Sequence, residues 1–352
     1  MKTMKKLLFL TFATVLFISC SNDDDPQPGP NPPEAYEKGI FVTNEGPFGA
    51  GTGNVTFISE DFTDVQQHIF LTVNGKDLGN IVQSMNFQDE NAYIVVNNSQ
   101  KIEIVNRYSF ESVDSIKTGI NNPRYFLGTD NNKGYVTNWG DPNDNTDDFV
   151  SVVDLRSNAV SATIPVSFGP EKMVSNGNKI YVAHQGGFGQ NNLISVISGN
   201  TVESTINVGD VPNSMVVSGN SLFVLCGGNP SYTGNETAGS LVKIDLSNGQ
   251  VSNTYNLAIT QHPTGLTIDG ANLYYNLDGK VYKVNSASVS LPGAEIINGF
   301  FYALEAHNGK LYATDAGDFA SNGSLKIFDL STNQQIQEFQ TGIIPGGIYF
   351  ND

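Results

Sequence analysis

Nine side chains of this sequence are spaced to form a binding surface. Phe48, Trp139, Phe188, Tyr232 and Phe319 each stand in a stretch of Gly and amide or acidic residues, as in Asn44-Glu45-Gly46-Pro47-Phe48-Gly49 and Gln185-Gly186-Gly187-Phe188-Gly189-Gln190. Arg124, Tyr125, His262 and Tyr302 stand in turns that open an apolar strand. Aromatic rings give broad apolar faces and neighbouring amides give hydrogen bonds, which suits a large, flat, neutral ligand with many polar groups. Signals for catalysis are sparse. His68, His184, His262 and His307 have no fixed Cys, His or Asp spacing around them. No Ser nucleophile motif is present, and the Gly-rich loops join strands rather than opening helices as phosphate cradles do. The expectation is a binding protein rather than an enzyme, with no cofactor.

A metal is the one exception. Asp141, Asn143, Asn145 and Asp147 place oxygen ligands at alternate positions, which matches part of a Ca²⁺-loop pattern but lacks its sixth-position Gly and terminal Glu. A structural Ca²⁺ here is an expectation to test.

These residues are positioned by a repeat. A turn and short strand recur at Asn122-Pro123-Arg124-Tyr125-Phe126, Gly169-Pro170-Glu171-Lys172-Met173, Val211-Pro212-Asn213-Ser214-Met215, His262-Pro263-Thr264-Gly265-Leu266 and Ile344-Pro345-Gly346-Gly347-Ile348, with degenerate copies at 81–85 and 300–304. The Pro column falls at 82, 123, 170, 212, 263, 301 and 345, a mean spacing near 44 residues. A second apolar strand follows each, such as Ala92-Tyr93-Ile94-Val95-Val96. A third alternates, such as Val150-Ser151-Val152-Val153, and a fourth is polar, such as Thr201 to Val208. Four antiparallel strands per unit of this length predict an all-β, seven-bladed β-propeller of four-stranded blades. The chain begins on a second-type strand at Gly39 and ends on a first-type strand at 346–350, so the C-terminal strand should join the N-terminal blade and close the ring. Long loops after the second strand, at 44–54, 138–149, 184–192, 226–240 and 315–324, should all lie on one face with the opening turns, where binding sites usually form.

The balance of 18 Lys and Arg against 35 Asp and Glu, a net charge of −17, excludes nucleic acid, which requires a basic footprint. Lys2, Lys5 and Lys6 precede a 12-residue apolar run, Leu7 to Ile18, too short to span a membrane and of the length of a signal-peptide core. With Cys20 set apart below, Cys226 has no partner and reads as a small buried residue in an apolar run.

Phe17-Ile18-Ser19-Cys20 resembles a bacterial lipoprotein box with Cys20 as the lipidated residue. Asp23-Asp24-Asp25 resembles the acidic signal that sends lipoproteins of Bacteroidota to the outer face of the outer membrane. That implies a signal peptide at 1–19, a lipidated Cys with acidic signal and Pro-rich tether at 20–35, and a propeller domain at 36–352. Attachment to the membrane would be through the lipid alone. Gly134-Tyr135-Val136-Thr137-Asn138 and Phe41-Val42-Thr43-Asn44 resemble the signature of YVTN-type seven-bladed propellers. Address and fold together resemble the surface lipoprotein propellers that bind vitamin B12, a corrinoid, and pass it to a TonB-dependent outer-membrane transporter. Two other classes stay open: a glycan-binding surface lipoprotein, and a metal-dependent propeller lyase or hydrolase.

Overall fold

A computed structural model describes residues 35–129, 132–141, 143–187 and 189–352. The segments 1–19 and 20–34, with Cys20 and the acidic signal, lie outside the described residues, as does Phe188.

Seven four-stranded antiparallel sheets make up the fold, and their first strands contact one another in cyclic order. Blade 1 is Gly39–Asn44, Asn54–Ser59 and Val65–Gln66, completed on its inner edge by the C-terminal strand Pro345–Asn351. Gly39 to Thr43 pair in register with Asn351 to Gly347, so the ring closes as the repeat phase required. Blades 2 to 7 span 82–116, 123–165, 170–207, 212–256, 264–298 and 304–343.

Blades pack face to face, and this sets which residues are buried. Tyr93, Val95, Ile102 and Ile104 of blade 2 form one cluster with Phe126, Val136 and Val153 of blade 3, and the Tyr93 and Phe126 rings stack 4.1 Å apart. Second strands are covered on both sides, which is why they read as unbroken apolar runs. The third strands differ from their alternating pattern. Phe149–Asp154 is buried at all four central positions, because Val150 and Val152 pack against blade 4 and its polar side faces the segment entering blade 3 rather than water. Ser151 there is satisfied internally, donating to the Gly119 carbonyl at 2.6 Å. The fourth strands, such as Thr201–Asn207, are the exposed rim. Among the described residues there is one α-helix, Ile69–Asn74, which lacks the length to show a period in sequence; it buries Ile69 and Phe70 beside the two-residue fourth strand of blade 1.

The Pro column has a structural consequence. At or just beyond this column the register slips: between Val82 and Ser84, Pro123 and Phe126, Pro170 and Met173, Pro212 and Ser214, and Thr264 and Thr267, at Val82 as at the Pro copies, whose missing N–H cannot extend the ladder. Such bulges re-aim side chains. Here they release Gln83, Arg124, Tyr125, Glu171, Lys172, Asn213 and Gly265 from pairing, and all seven line the central channel.

Candidate functional site

The channel opens between the long loops into a cavity of about 880 Å³. Arg124 organises its mouth. Its Nε and Nη2 donate to Glu171 Oε1 at 3.1 and 2.9 Å, and Nη1 donates to Gln83 Oε1 at 2.6 Å. The guanidinium lies 4.0 Å over the Trp139 ring, and Trp139 Nε1 donates to the Pro170 carbonyl at 3.2 Å. Glu171 is only 4% exposed, and its Oε2 is buried with no hydrogen-bond partner. Burial raises its pKa, and the Arg124 charge only partly offsets this. The Thr of the repeat signature holds this arrangement. Thr137 Oγ1 accepts from the Tyr125 N–H at 3.1 Å and donates to the Glu171 carbonyl at 3.0 Å, tying two bulges together.

Beside it, Tyr302 donates to Glu45 Oε1 at 3.0 Å. Burial raises the pKa of Glu45, and Phe319 packs edge-on against Tyr302 at 5.5 Å. Deeper in the channel are Tyr125, Lys172, Glu305 and Tyr349. Glu305 Oε2 accepts from Thr267 Oγ1 at 3.0 Å, and burial again raises the carboxyl pKa. His262 is at the mouth, with Nδ1 at 2.8 Å from the Gly227 carbonyl and Nε2 at 3.2 Å from Glu236.

Of the residues singled out in the sequence, Arg124, Tyr125, Tyr232, His262 and Tyr302 line this cavity. Phe48 and Tyr232 are 86% and 83% exposed. Trp139 backs Arg124 rather than facing the opening, and Phe319 supports Tyr302. His184 is fully buried; it pairs with Pro170 at the place Asn138 holds against Pro123. Its Nε2 is 2.8 Å from Ser195 Oγ, as Asn138 bonds Ser151 Oγ at 3.0 Å, and burial lowers its pKa to about 4. Cys226 is likewise fully buried, and burial raises its thiol pKa to about 12. Glu45, Gln83, Glu171, Lys172, Asn213 and Glu305 were not singled out. Four of them fall one or two residues after the Pro column, at 83, 171, 172 and 213, a periodic polar signal that could have found them.

The Asp141–Asp148 loop folds on its own side chains. Asp141 Oδ1 accepts from the Asn143 N–H at 2.9 Å and from its Nδ2 at 3.1 Å, and Asp147 Oδ2 accepts from the Asp141 N–H at 2.8 Å. Among the described residues no group of three or more His, Cys, Asp or Glu is arranged to hold a metal ion. Asp148, 4% exposed, accepts from the Gly169 N–H. Burial raises its pKa to about 6, with Asp147 and Asp144 adding to the rise. A raised carboxyl means the folded state holds the proton more tightly than the unfolded chain, so stability falls as pH rises from about 4 to about 6. Asp148→Asn is expected to melt above the wild type at pH 8, with the gap closing at pH 4. A gap independent of pH counts against this.

A family model described as "Domain of unknown function (DUF5074)" matches residues 38–290. No curated protein matches the chain. Solved structures share the fold. A Bacteroides uniformis protein provisionally assigned as a 6-phosphogluconolactonase has a TM-score of 0.64 at 13% identity, over 89% of this chain and 99% of its own. The Pseudomonas aeruginosa periplasmic gluconolactonase PpgL has a TM-score of 0.63 at 13% identity, over 88% and 99%. BamB of Moraxella catarrhalis has a TM-score of 0.54 at 13% identity, over 89% and 88%. At such identities the likeness establishes architecture. It also corrects the expectation that the chain is not an enzyme: propellers matching it over nearly their whole length include a named lactonase, so the architecture gives no ground for setting catalysis aside. The sequence reading went astray because it sought nucleophile and metal motifs, whereas the channel's ionisable groups come from separate blades.

Proposed function

We propose that this chain, which belongs to the DUF5074 family, captures a large, neutral, polar molecule at the mouth of its central channel, and that the molecule is a corrinoid. The observation that carries this is how the mouth disposes of its charges. Arg124 is engaged by Glu171, Gln83 and Trp139, and Glu45 by Tyr302, while Gln185, Gln190 and Asn213 also line the cavity. Such a surface offers amides and rings without a surplus of one charge, which suits an amide-fringed disc. Calorimetry with cyanocobalamin and with neutral oligosaccharides tests it. Saturable corrinoid binding, weakened roughly 30-fold in Tyr232→Ala as for an anchoring aromatic, supports it; heat from a glycan alone transfers the site to the glycan reading.

The proposed setting is the cell surface, with Cys20 carrying the lipid and a TonB-dependent transporter receiving the ligand. Cys20→Ala should move the protein from the membrane fraction to the soluble one, since lipid is the proposed anchor. Retention in the membrane fraction refutes the anchor. A structural Ca²⁺ at 141–148 remains part of the proposal; an unchanged melting curve in chelator removes it.

A second reading is hydrolysis of a lactone, the chemistry named for PpgL. It is favoured by two carboxyls of raised pKa, Glu45 and Glu171, around Arg124, the type of perturbed cluster that recurs at catalytic sites. Turnover of gluconolactone above the spontaneous rate, lost in Glu45→Gln, supports it; spontaneous rates throughout exclude it.

A further inference from the structure

Lys172 is out of balance with its surroundings. It is released into the channel by the bulge of blade 4 and is half-buried. Among the described residues it makes no hydrogen bond or ion pair with any side chain, although its charge acts on Glu171 and Glu305 and partly offsets the rise that burial gives both carboxyls. Glu171 is engaged by Arg124, and Glu305 is held by Thr267. An ammonium carries three N–H donors, and here no side chain accepts from them. It lines the same cavity as Gly265, Ala303 and Gly347 of three other blades.

We propose that the channel below the mouth is a second subsite, in which Lys172 receives an anionic group, a phosphate or carboxylate, carried by the captured molecule. This rests on the corrinoid reading and deepens it. A complete cobamide carries a phosphodiester in its nucleotide loop, whereas cobinamide ends before that nucleotide. A disc seated on the amides and rings of the mouth could therefore lower its one anion toward Lys172.

The test compares cyanocobalamin with dicyanocobinamide by calorimetry in the wild type, Lys172→Met and Lys172→Arg. Lys172→Met should lose roughly 10-fold or more affinity for cyanocobalamin relative to its loss for cobinamide, the scale of a hydrogen bond between charged groups. Lys172→Arg should restore most of the difference. An unchanged ratio in Lys172→Met overturns the subsite while leaving corrinoid capture standing. If the wild type binds neither corrinoid, the capture reading falls, and inorganic phosphate decides the subsite alone: it should raise the melting temperature of the wild type more than that of Lys172→Met at equal ionic strength. Equal shifts overturn the subsite.

Discussion

A chain ending at residue 344 should not fold to a soluble monomer. Pro345–Asn351 is the inner strand of blade 1 and pairs with Gly39–Asn44 along its whole length. Its loss would strip one edge of a strand that is buried at every position, leaving unpaired N–H and C=O groups beside the channel. It would also remove Ile348, 4% exposed, from the cluster that joins blades 7 and 1, and Asn351, whose Nδ2 donates to the Tyr36 carbonyl and whose Oδ1 accepts from Arg107 Nε. Each fully buried large apolar side chain is worth about 1.5–3 kcal/mol. Together with the lost backbone pairing, the deficit should approach the whole margin of a typical domain, about 5–15 kcal/mol. Size exclusion and circular dichroism read the outcome. A truncated protein that elutes as a monomer and melts with the wild type refutes closure by this strand.

Arg124→Ala should be the most damaging single substitution at the channel. It leaves Glu171 buried with neither oxygen in an ion pair, and removing one partner of a buried pair costs about 3–5 kcal/mol. Trp139 loses the cation over its ring as well. In the variant only the Lys172 charge still offsets the burial of the Glu171 carboxylate, so its folded-state pKa rises further, and protonation relieves the defect. The variant should lose most stability at pH 8 and recover part of it toward pH 5. Glu171→Gln should cost less, since an amide carries no charge to bury. Melting curves of wild type, both single variants and the double variant measure the coupling. Equal melting temperatures for wild type and Arg124→Ala at pH 8 would show that the pair does not organise the mouth.

Much of the architecture was legible because a propeller is periodic. The Pro column and the apolar second strands recur together, and the offset between Gly39 and residues 346–350 already required closure by the C-terminal strand. The repeat signature was legible as a pattern but not as a cause. Only packing shows that Asn44 and Asn138 cap second strands while Thr137 ties neighbouring bulges, and that His184 takes the capping place in blade 4.

The site divides along the same line. The amino-acid sequence by itself determined seven blades, the closing strand, the face that carries the long loops, and five of the side chains that line the channel. Tertiary structure alone decided their company. A bulge moves a residue from a pleated face to the channel by one unpaired position, and no local pattern reports where a side chain then points. Gln83, Arg124 and Glu171 lie 41 and 47 residues apart in sequence, yet they meet because ring closure brings equivalent positions of neighbouring blades together. Trp139 reads as an open platform in its loop, but the guanidinium from the opening turn of its own blade occupies its face. Long-range proximity, set by the circular packing of blades, turned separate polar residues into one network and left Lys172 without a side-chain hydrogen bond among the described residues, its charge acting on Glu171 and Glu305.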